Sequence, residues 1–327
     1  MSSIANRADL GREPPTDAHR EPGYLTLHAS GALEDRVARA LADLSACRLC
    51  PHRCGVNRPG GERGYCGAGA RARVASYDAH HGEEPPISGT RGSGTLFFSH
   101  CTARCIFCQN YTISQTGLGD DMSTSELVGA MITLQRRGCH NINLVSPTHF
   151  VPQILAAVAL AVSKGLRIPL VYNTGGYESV ETLRLLDGVV DIYMPDAKYA
   201  DDDVARELSG LEGYVEANRT AMLEMKRQVG AALQTDADGV AYRGMVVRHL
   251  VLPDGLSQSR EVLAWIAREL GRDTYVNLMA QYYPAHRAVG HPSLGRRLYR
   301  DEYRDALEAM EELGLETGWS QALNRIY

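Results

Sequence analysis

The chain has 327 residues, 44% hydrophobic and 22% charged residues and a formal net charge of -5, a composition typical of a soluble globular protein. The negative charge gives no electrostatic basis for binding nucleic acid or an anionic membrane, and no stretch approaches the roughly 20 apolar residues of a membrane-spanning helix. Because the amino terminus lacks the apolar core of a secretory signal, we expect a cytoplasmic protein.

The amino-terminal third of the chain divides into two segments. Residues 1–30 are rich in Pro, Gly and charge and predict a poorly ordered lead-in. Apolar residues then recur at helical spacing and predict a short amphipathic helix, which completes an extension over residues 1–45. These residues are Leu33, Val37, Leu41 and Leu44. Residues 46–90 begin with a stretch too rich in Gly and Pro for a regular element, which predicts a Cys-rich knuckle shaped by a bound metal.

From residue 95 onward, short apolar runs predict six β-strands. They are Thr95–Ser99, Asn141–Ser146, Ile168–Asn173, Val189–Met194, Met245–Leu252 and Thr274–Met279. Helical patterns lie at Ser123–Arg137, Pro152–Lys164, Ser179–Leu186 and Ser257–Leu270, and Ser123 with Glu126 forms a capping box. This alternation predicts an α/β fold with a parallel sheet, either a partial (β/α)6 TIM-like barrel over residues 91–290 or a doubly wound open sheet. We favour the barrel, followed by a C-terminal helical segment over residues 291–327.

Seven of the eight cysteines fall into two clusters, which in a reducing compartment indicate metal binding or redox chemistry. The clusters are Cys47, Cys50, Cys54 and Cys66, and Cys101, Cys105 and Cys108. The second cluster directly follows the first predicted strand, and loops in that position form the catalytic face of a barrel. Three thiolates leave one iron of a cubane cluster without a protein ligand, whereas electron carriers usually supply four thiolates. The spare coordination indicates catalysis; a zinc site completed by a residue such as His100 is the alternative.

The spacing Cys101-x3-Cys105-x2-Cys108, with Phe107 before the last cysteine, resembles the signature of the radical S-adenosylmethionine (SAM) superfamily. Beyond this loop, roughly residues 46–290 resemble the activating enzymes of glycyl-radical enzymes, closest to the branch called pyruvate formate-lyase activating enzyme-like proteins. The resemblance implies a [4Fe–4S] cluster that binds SAM and cleaves it reductively to a 5′-deoxyadenosyl radical, which abstracts hydrogen from a substrate. It also implies an electron donor such as flavodoxin or ferredoxin.

The ends of the third and fourth strands match that family. Asn173 and Thr174 stand in a turn similar to the Asp-Thr-Asn-Gly turn near the SAM carboxylate. Asp196 and Lys198 are similar to the Asp-x-Lys pair at the SAM and substrate site, and the resemblance gives them catalytic roles. Two residues apart at a strand end, their side chains also face the same way, toward the catalytic face. Lys198 is one of only three lysines among 34 basic residues; a solvated ion pair is the alternative.

Two further segments bear on SAM binding. After the sixth strand, the segment Tyr-Tyr-Pro-Ala-His resembles a family segment that would bring His286 near SAM. After the second strand, Ser146-Pro147-Thr148-His149 replaces the family's Gly-Gly-Glu, so Ser146 and Thr148 are the candidate contacts of the SAM amino group. The whole-chain resemblance favours a glycyl-radical enzyme partner, whereas the missing acid favours epimerisation or dehydrogenation of a small molecule. A non-catalytic metal-binding module is the third interpretation.

The remaining metal-ligand residue types receive less specific predictions. The set Cys47, Cys50, Cys54 and Cys66 suffices for tetrahedral zinc or for an auxiliary iron–sulfur cluster, and the spacing favours neither. We expect His52 at the surface, Glu83 and Glu84 in a charged loop with His80 and His81, and Cys139 as a buried structural thiol. Arg248, on the fifth strand, is expected either to reach the SAM carboxylate or to form an inward-facing salt bridge.

Overall fold

The computed structural model describes residues 21–321, so the predictions for residues 1–20 and 322–327 lie outside the described part of the chain. The helices are α1 (Tyr24–Ala29), α2 (Ala32–Ala42), α3 (Pro85–Ser88), α4 (Tyr111–Ser114), α5 (Thr124–Arg136), α6 (Val151–Ser163), α7 (Val180–Leu185), α8 (Asp202–Ser209), α9 (Tyr214–Val229), α10 (Ser259–Trp265) and α11 (Arg300–Glu312). Within residues 21–321 we find no helix whose length and apolar character would let it cross a membrane.

The strands form one twisted sheet around which the helices are arranged. They are β1 (Ala72–His80), β2 (Ser93–Phe98), β3 (Asp120–Met122), β4 (Ile142–Val145), β5 (Leu170–Thr174), β6 (Ile192–Pro195), β7 (Gln234–Thr235), β8 (Ala241–Leu250), β9 (Tyr275–Met279) and β10 (Gly318–Ser320). Their order is β10-β9-β8-β6-β5-β4-β2-β1-β3, with β7 beside β8. All pairs from β2 to β10 along this path are parallel, while β1 is antiparallel to β2 and to β3.

The strand order decides between the two predicted architectures. The six predicted strands correspond to β2, β4, β5, β6, β8 and β9, and they stand side by side in chain order. A doubly wound sheet reverses its strand order at a switch point, and no reversal occurs among these strands. The α/β fold with a partial TIM-like barrel is therefore confirmed, and the doubly wound alternative is wrong.

Burial explains why these segments form strands and helices. Every residue of β5 is buried, as expected for a parallel strand covered on both faces. One face packs against α5 and α6 in the main core, and α6 buries nine of its thirteen residues. The opposite face supplies a smaller apolar cluster with the α3 residue Ile87. The barrel interior is therefore filled at this level by side chains of its own strands and of α3.

Several elements differ from the sequence predictions. Residues 21–30 of the predicted lead-in contain α1, which is docked because the Asp191 carboxylate accepts hydrogen bonds from the amides of Gly23 (3.1 Å) and Leu170 (2.9 Å). The strand β1, inside the predicted knuckle segment, was not predicted, nor were α8 and α9. The signal for α9 was present, because Tyr214, Ala221 and Met225 recur at helical spacing and are buried.

The predicted capping box is present at the start of α5. The Ser123 hydroxyl accepts a hydrogen bond from the Glu126 amide at 3.3 Å, and the Glu126 carboxylate accepts one from the Ser123 amide at 2.7 Å. We expect Ser123→Ala to lower the free energy of unfolding by about 1 kcal/mol, because the amide of Glu126 loses its partner. Urea denaturation measures this change, with the exposed neighbour Ser125→Ala as control. Equal stability of the two variants would contradict the prediction.

Candidate active site

The loop carrying Cys101, Cys105 and Cys108 leaves the carboxyl end of β2 and is held on two sides. On one side, the amides of Arg104 and Ile106 donate to the carbonyls of Ser209 and Leu208, at 2.8 and 2.9 Å. On the other side, the amide of Ala288 donates to the Ile106 carbonyl at 2.9 Å. The loop is therefore fixed between the end of α8 and the short 3₁₀ turn His286–Ala288.

Each sulfur of this loop has a hydrogen-bonding partner. The Ala103 amide donates to Cys101 Sγ (3.4 Å), and the Ser209 hydroxyl donates to Cys105 Sγ (3.0 Å). Cys108 Sγ lies 3.1 Å from the Ser114 hydroxyl. Donors aimed at sulfur stabilise thiolates, which are the ligands that an iron–sulfur cluster requires.

The apolar surroundings of the loop complete that environment. Burial raises the pKa of the Cys101 thiol to about 12 and also raises the pKa of Cys105. Phe107 is buried, with its ring edge-on to Tyr282 at 6.0 Å. A coordinated metal deprotonates a thiol whose pKa is raised in this way. Three sulfurs with polar partners in a dry pocket therefore fit a cluster.

A mostly buried network of charges lies next to the loop. Lys198 Nζ contacts Asp196 Oδ2, Arg248 Nε lies 2.9 Å from Asp196 Oδ1, and Arg248 also donates to Asn173 Oδ1 at 2.6 Å. Burial alone would raise the pKa of the Asp196 carboxyl, but Arg248 and Lys198 hold it below its usual value. The inward-facing salt bridge predicted for Arg248 is present, and the ammonium of Lys198 contacts the carboxylate of Asp196.

Glu83 and Glu84 lie beneath this charge network, a position that the sequence did not predict. Asn143 Nδ2 donates to Glu83 at 3.1 Å, and Asn277 Nδ2 donates to Glu84 at 2.6 Å. Glu83 also lies 4.0 Å from Arg248. The predicted charged loop is wrong for Glu84, which is 3% exposed. The helix α3 follows directly and carries this segment into the barrel, where the side-chain amide of Asn277 replaces water as the partner of Glu84.

Thr148 and Thr174, both candidate SAM contacts, bind a buried carboxylate. Thr148 donates to Glu178 Oε1 at 2.6 Å, Thr174 contacts the same oxygen, and Tyr172 donates to Oε2 at 3.1 Å. All of these side chains are buried. Glu178 was not among the predicted site residues. The signal for it in the sequence was a single acidic residue shortly after the third predicted strand. In this structure the two threonine hydroxyls face that acid.

The pKa of Glu178 predicts how the free energy of unfolding depends on pH. Burial raises it to about 7, and the same cause raises the pKa of Asp191 to about 7. A carboxyl whose pKa is higher in the folded than in the unfolded chain stabilises the fold fully at low pH and less as pH rises toward 7. We expect the free energy of unfolding to fall between pH 5 and 7, and Glu178→Gln to reduce that slope by up to about 1.4 kcal/mol per pH unit. Urea denaturation across this range measures the slope; an unchanged slope would contradict the assignment.

Three residues around the mouth of the barrel have a left-handed backbone although they are not glycine. His100 (φ 70°) precedes Cys101, Ser146 (φ 55°) follows β4, and His286 (φ 52°) follows β9. The ring of His286 stacks on Tyr111 at 4.6 Å, so His286 lies against α4, just beyond the cysteine loop. The Ser146 amide donates to the Asn173 carbonyl at 2.8 Å.

The irregular first part of the predicted knuckle segment, residues 47–71, is called the knuckle from here on. It contacts the three-cysteine loop directly. His52 Nε2 lies 2.8 Å from the Thr102 carbonyl, and its ring stacks on Tyr65 at 3.8 Å. The Arg104 guanidinium donates to the Tyr65 carbonyl at 2.7 Å. His52 was expected at the surface; it is instead half-buried in the joint between the two cysteine clusters. Cys139 is buried in the main core, as predicted.

Known proteins share parts of this arrangement. The family model of the radical SAM superfamily matches residues 95–230, which contain the three-cysteine loop, Asp196 and Lys198. An uncharacterised protein of Methanocaldococcus jannaschii is 31% identical over 282 residues, covering 83% of this chain and 75% of that protein.

Two solved structures also resemble the chain. A structure of TYW1 with a lysine-pyruvate adduct bound has a TM-score of 0.42 at 13% identity, covering 71% of this chain and 77% of that one. The FeFe-hydrogenase maturase HydG from Carboxydothermus hydrogenoformans has a TM-score of 0.44 at 12% identity. The match covers 69% of this chain and 53% of that one, so the chain spans about half the length of HydG.

Proposed function

Because the chain belongs to the radical SAM superfamily, whose members are enzymes that catalyse radical reactions, we propose that it cleaves SAM at a [4Fe–4S] cluster bound by Cys101, Cys105 and Cys108. The observation that carries the proposal is the loop after β2, which presents three thiols with a polar partner at each sulfur. When bound, the cluster supplies one electron for cleavage of the sulfonium, and the resulting 5′-deoxyadenosyl radical takes hydrogen from the substrate. We propose a one-electron carrier such as flavodoxin or ferredoxin as the source of that electron.

The residues around the loop have distinct roles in this proposal. Lys198 and Arg248 provide the cations for the SAM carboxylate, and Asn173 and Asp196 provide acceptors for its amino group. Burial raises the pKa of Cys105, and Lys198 offsets part of that rise, so the charge network lies close to the loop. Phe107 belongs to a buried cluster with Tyr199, Tyr214 and Tyr282 that keeps water from the loop.

The SAM contacts that we propose beside β4 and β9 are less specific than those of the charge network. Ser146 and Thr148 offer hydroxyl and backbone groups to the SAM amino group, although Thr148 donates to Glu178 in the described structure. Glu178 is thereby an acid in direct contact with one of the residues that replace the family's Gly-Gly-Glu. His286 lies at the rim and would approach the adenosyl side through the segment after β9.

Two classes of substrate follow from different observations. The resemblance over residues 46–290 supports hydrogen abstraction from a glycyl-radical enzyme partner. The pair Glu83 and Glu84 supports the second, a small polar molecule modified by epimerisation or dehydrogenation. These carboxylates accept hydrogen bonds from Asn143 and Asn277 beneath the charge network, and fixed polar groups of this kind orient a small polar substrate.

The test of SAM cleavage is anaerobic. The protein is reconstituted with iron and sulfide, reduced with dithionite and supplied with SAM, and 5′-deoxyadenosine is measured. We expect product that depends on both reductant and SAM. A protein that contains the cluster at the three-cysteine loop yet yields no 5′-deoxyadenosine would overturn the proposal and revive the interpretation as a metal-binding module.

The two substrate classes differ in the source of the hydrogen atom. Activation of a protein partner takes hydrogen from a glycine residue of that partner, whereas a small-molecule enzyme takes it from the small molecule. Incubation with candidate partners and with deuterated small molecules, followed by mass spectrometry of the 5′-deoxyadenosine, identifies the hydrogen donor. Deuterium transferred from a small molecule would exclude the protein partner as sole substrate.

A further inference from the structure

The knuckle formed by residues 47–71 has almost no core of its own. It contains no helix or strand; its Cys47, Leu49 and Val56 form a small apolar cluster with Leu44, and Ala68 packs in the main core. None of its four cysteines forms a disulfide. An irregular segment with so small a cluster gains stability when a metal holds it. The residues available for such a role are the cysteines themselves.

Backbone contacts bring the four cysteines around one centre. The Gly55 amide donates to the Cys47 carbonyl at 2.8 Å, which places Cys54 beside Cys47. The Tyr65 amide donates to Cys54 Sγ at 3.3 Å, which places Cys54 beside Cys66. A side chain at Gly64 would lie 2.8 Å from Cys54 Sγ, so glycine is needed for this close approach.

An amide donor points at one sulfur in each cysteine cluster. The Tyr65 amide donates to Cys54 Sγ at 3.3 Å, as the Ala103 amide donates to Cys101 Sγ at 3.4 Å. Both contacts stabilise sulfur as thiolate.

Arg58 provides an independent sign of negative charge at this place. Its side chain is 2% exposed, and its guanidinium donates to the carbonyls of Gly69 (2.9 Å) and His149 (2.6 Å). Within residues 21–321 Arg58 forms no ion pair, and the Gly69 carbonyl that it contacts lies three residues after Cys66. A buried guanidinium without a counter-ion is costly, and metal-bound thiolates would supply that counter-ion.

The location of the knuckle favours a cluster over a single zinc ion. The knuckle contacts the three-cysteine loop where His52 Nε2 lies 2.8 Å from the Thr102 carbonyl and where Arg104 donates to the Tyr65 carbonyl at 2.7 Å. An iron–sulfur cluster at this place can pass an electron to a cluster held by the loop, whereas zinc has no redox chemistry and would serve only as a cross-link. This step rests on the cluster proposed for the three-cysteine loop, not on the reaction proposed there.

We infer that Cys47, Cys50, Cys54 and Cys66 bind a second iron–sulfur cluster, a cubane with four thiolate ligands, and that Arg58 is its buried counter-charge. The site has one side at the surface, where Cys54 is exposed, and another against the three-cysteine loop, where His52 meets Thr102. This inference does not depend on the reaction proposed for the three-cysteine loop. It predicts two clusters in one chain, separated by the joint of His52 and Tyr65.

The test uses two multiple variants of the full chain. One replaces Cys101, Cys105 and Cys108 with alanine, and the other replaces the four knuckle cysteines; Cys139→Ala is the matched control. After anaerobic reconstitution, iron and acid-labile sulfide are measured and Mössbauer spectra are recorded. We expect about eight irons in the parent and in the control, and about four in each multiple variant. Should the knuckle variant fail to fold, the variant of the three-cysteine loop decides alone.

Two outcomes would overturn the inference. The first is a parent with about four irons and a loop variant with none. The second is a loop variant that holds one zinc and no sulfide. Failure of the proposed function has a different signature, because the loop variant would retain its cluster while the knuckle variant held no iron.

Arg58 is tested in the variant that lacks the three-cysteine loop ligands, where only the second cluster remains. We expect Arg58→Leu to shift the reduction potential of that cluster to a more negative value, because a nearby cation favours the more negative reduced state. Arg58→Lys keeps the charge and should restore most of the potential. Equal potentials for all three proteins would exclude the role of counter-charge.

Discussion

Cys105→Ala is expected to remove the cluster from the three-cysteine loop and to reduce formation of 5′-deoxyadenosine to background. Only two thiolates then remain for three irons, and no other cysteine lies on this loop to replace the third. Loss of an outer-shell partner of a metal typically costs about 10- to 100-fold in activity or affinity, so loss of a direct ligand should exceed 100-fold. The assay measures 5′-deoxyadenosine with dithionite and SAM, together with iron content.

The control for this variant is Cys139→Ala. Cys139 is equally a cysteine, but it is buried in the main core and lies before β4, at the amino ends of the parallel strands. The Cys139→Ala variant should have a somewhat lower free energy of unfolding than the parent protein and should keep its full cluster content. Retention of SAM cleavage by Cys105→Ala, or equal loss in both variants, would show that the three-cysteine loop is not the catalytic centre.

Asp196→Asn should strongly destabilise the protein. Asp196 is the anion between two cations, Arg248 at 2.9 Å and Lys198, and these side chains are only 15–19% exposed. The substitution keeps the shape of the side chain but leaves two mostly buried positive charges without their shared partner. Breaking a buried pair in this way costs about 3–5 kcal/mol. Urea denaturation of cluster-free protein gives the change in the free energy of unfolding.

An exposed ion pair provides the comparison for Asp196. Asp78 pairs with Arg137 at 2.7 Å, with 77% and 51% of the two side chains exposed. Asp78→Asn should cost less than about 1 kcal/mol, because water screens the interaction. A loss of similar size in both variants would mean that the charges around Asp196 are solvated, which is the solvated ion pair that the sequence left open.

The fold was predictable because apolar periodicity reports burial directly. Six of the seven parallel strands were identified, all but the three-residue β10, and the capping box located the start of α5 to within one residue. The errors were at boundaries: β8 begins at Ala241 rather than Met245, because Gly244 with φ 117° interrupts the apolar pattern within the strand. The strand β1 was missed because its residues alternate irregularly and four of its nine residues are exposed, since the short β3 pairs only with the first three residues of β1.

The residues of the site could be predicted only where they lie together in one short segment of the sequence. The three-cysteine loop and the pair Asp196 and Lys198 are local in sequence, so their spacing carries the information. Glu83, Glu84 and Glu178 became site residues through contacts with strands distant in the chain, such as the bond from Asn277 to Glu84. No spacing rule indicates which exposed-looking acid a fold will bury.

The left-handed backbone at His100, Ser146 and His286 has a consequence for how the protein responds to selection. A side chain in that conformation costs on the order of 1 kcal/mol or more relative to glycine. A screen for heat resistance alone should therefore enrich glycine or asparagine at these three positions. A screen for catalytic turnover should instead retain the native residues, because each flanks the loop or the strand ends that form the site. Divergence of the two outcomes would identify the mouth of the barrel as the region where stability and activity are opposed.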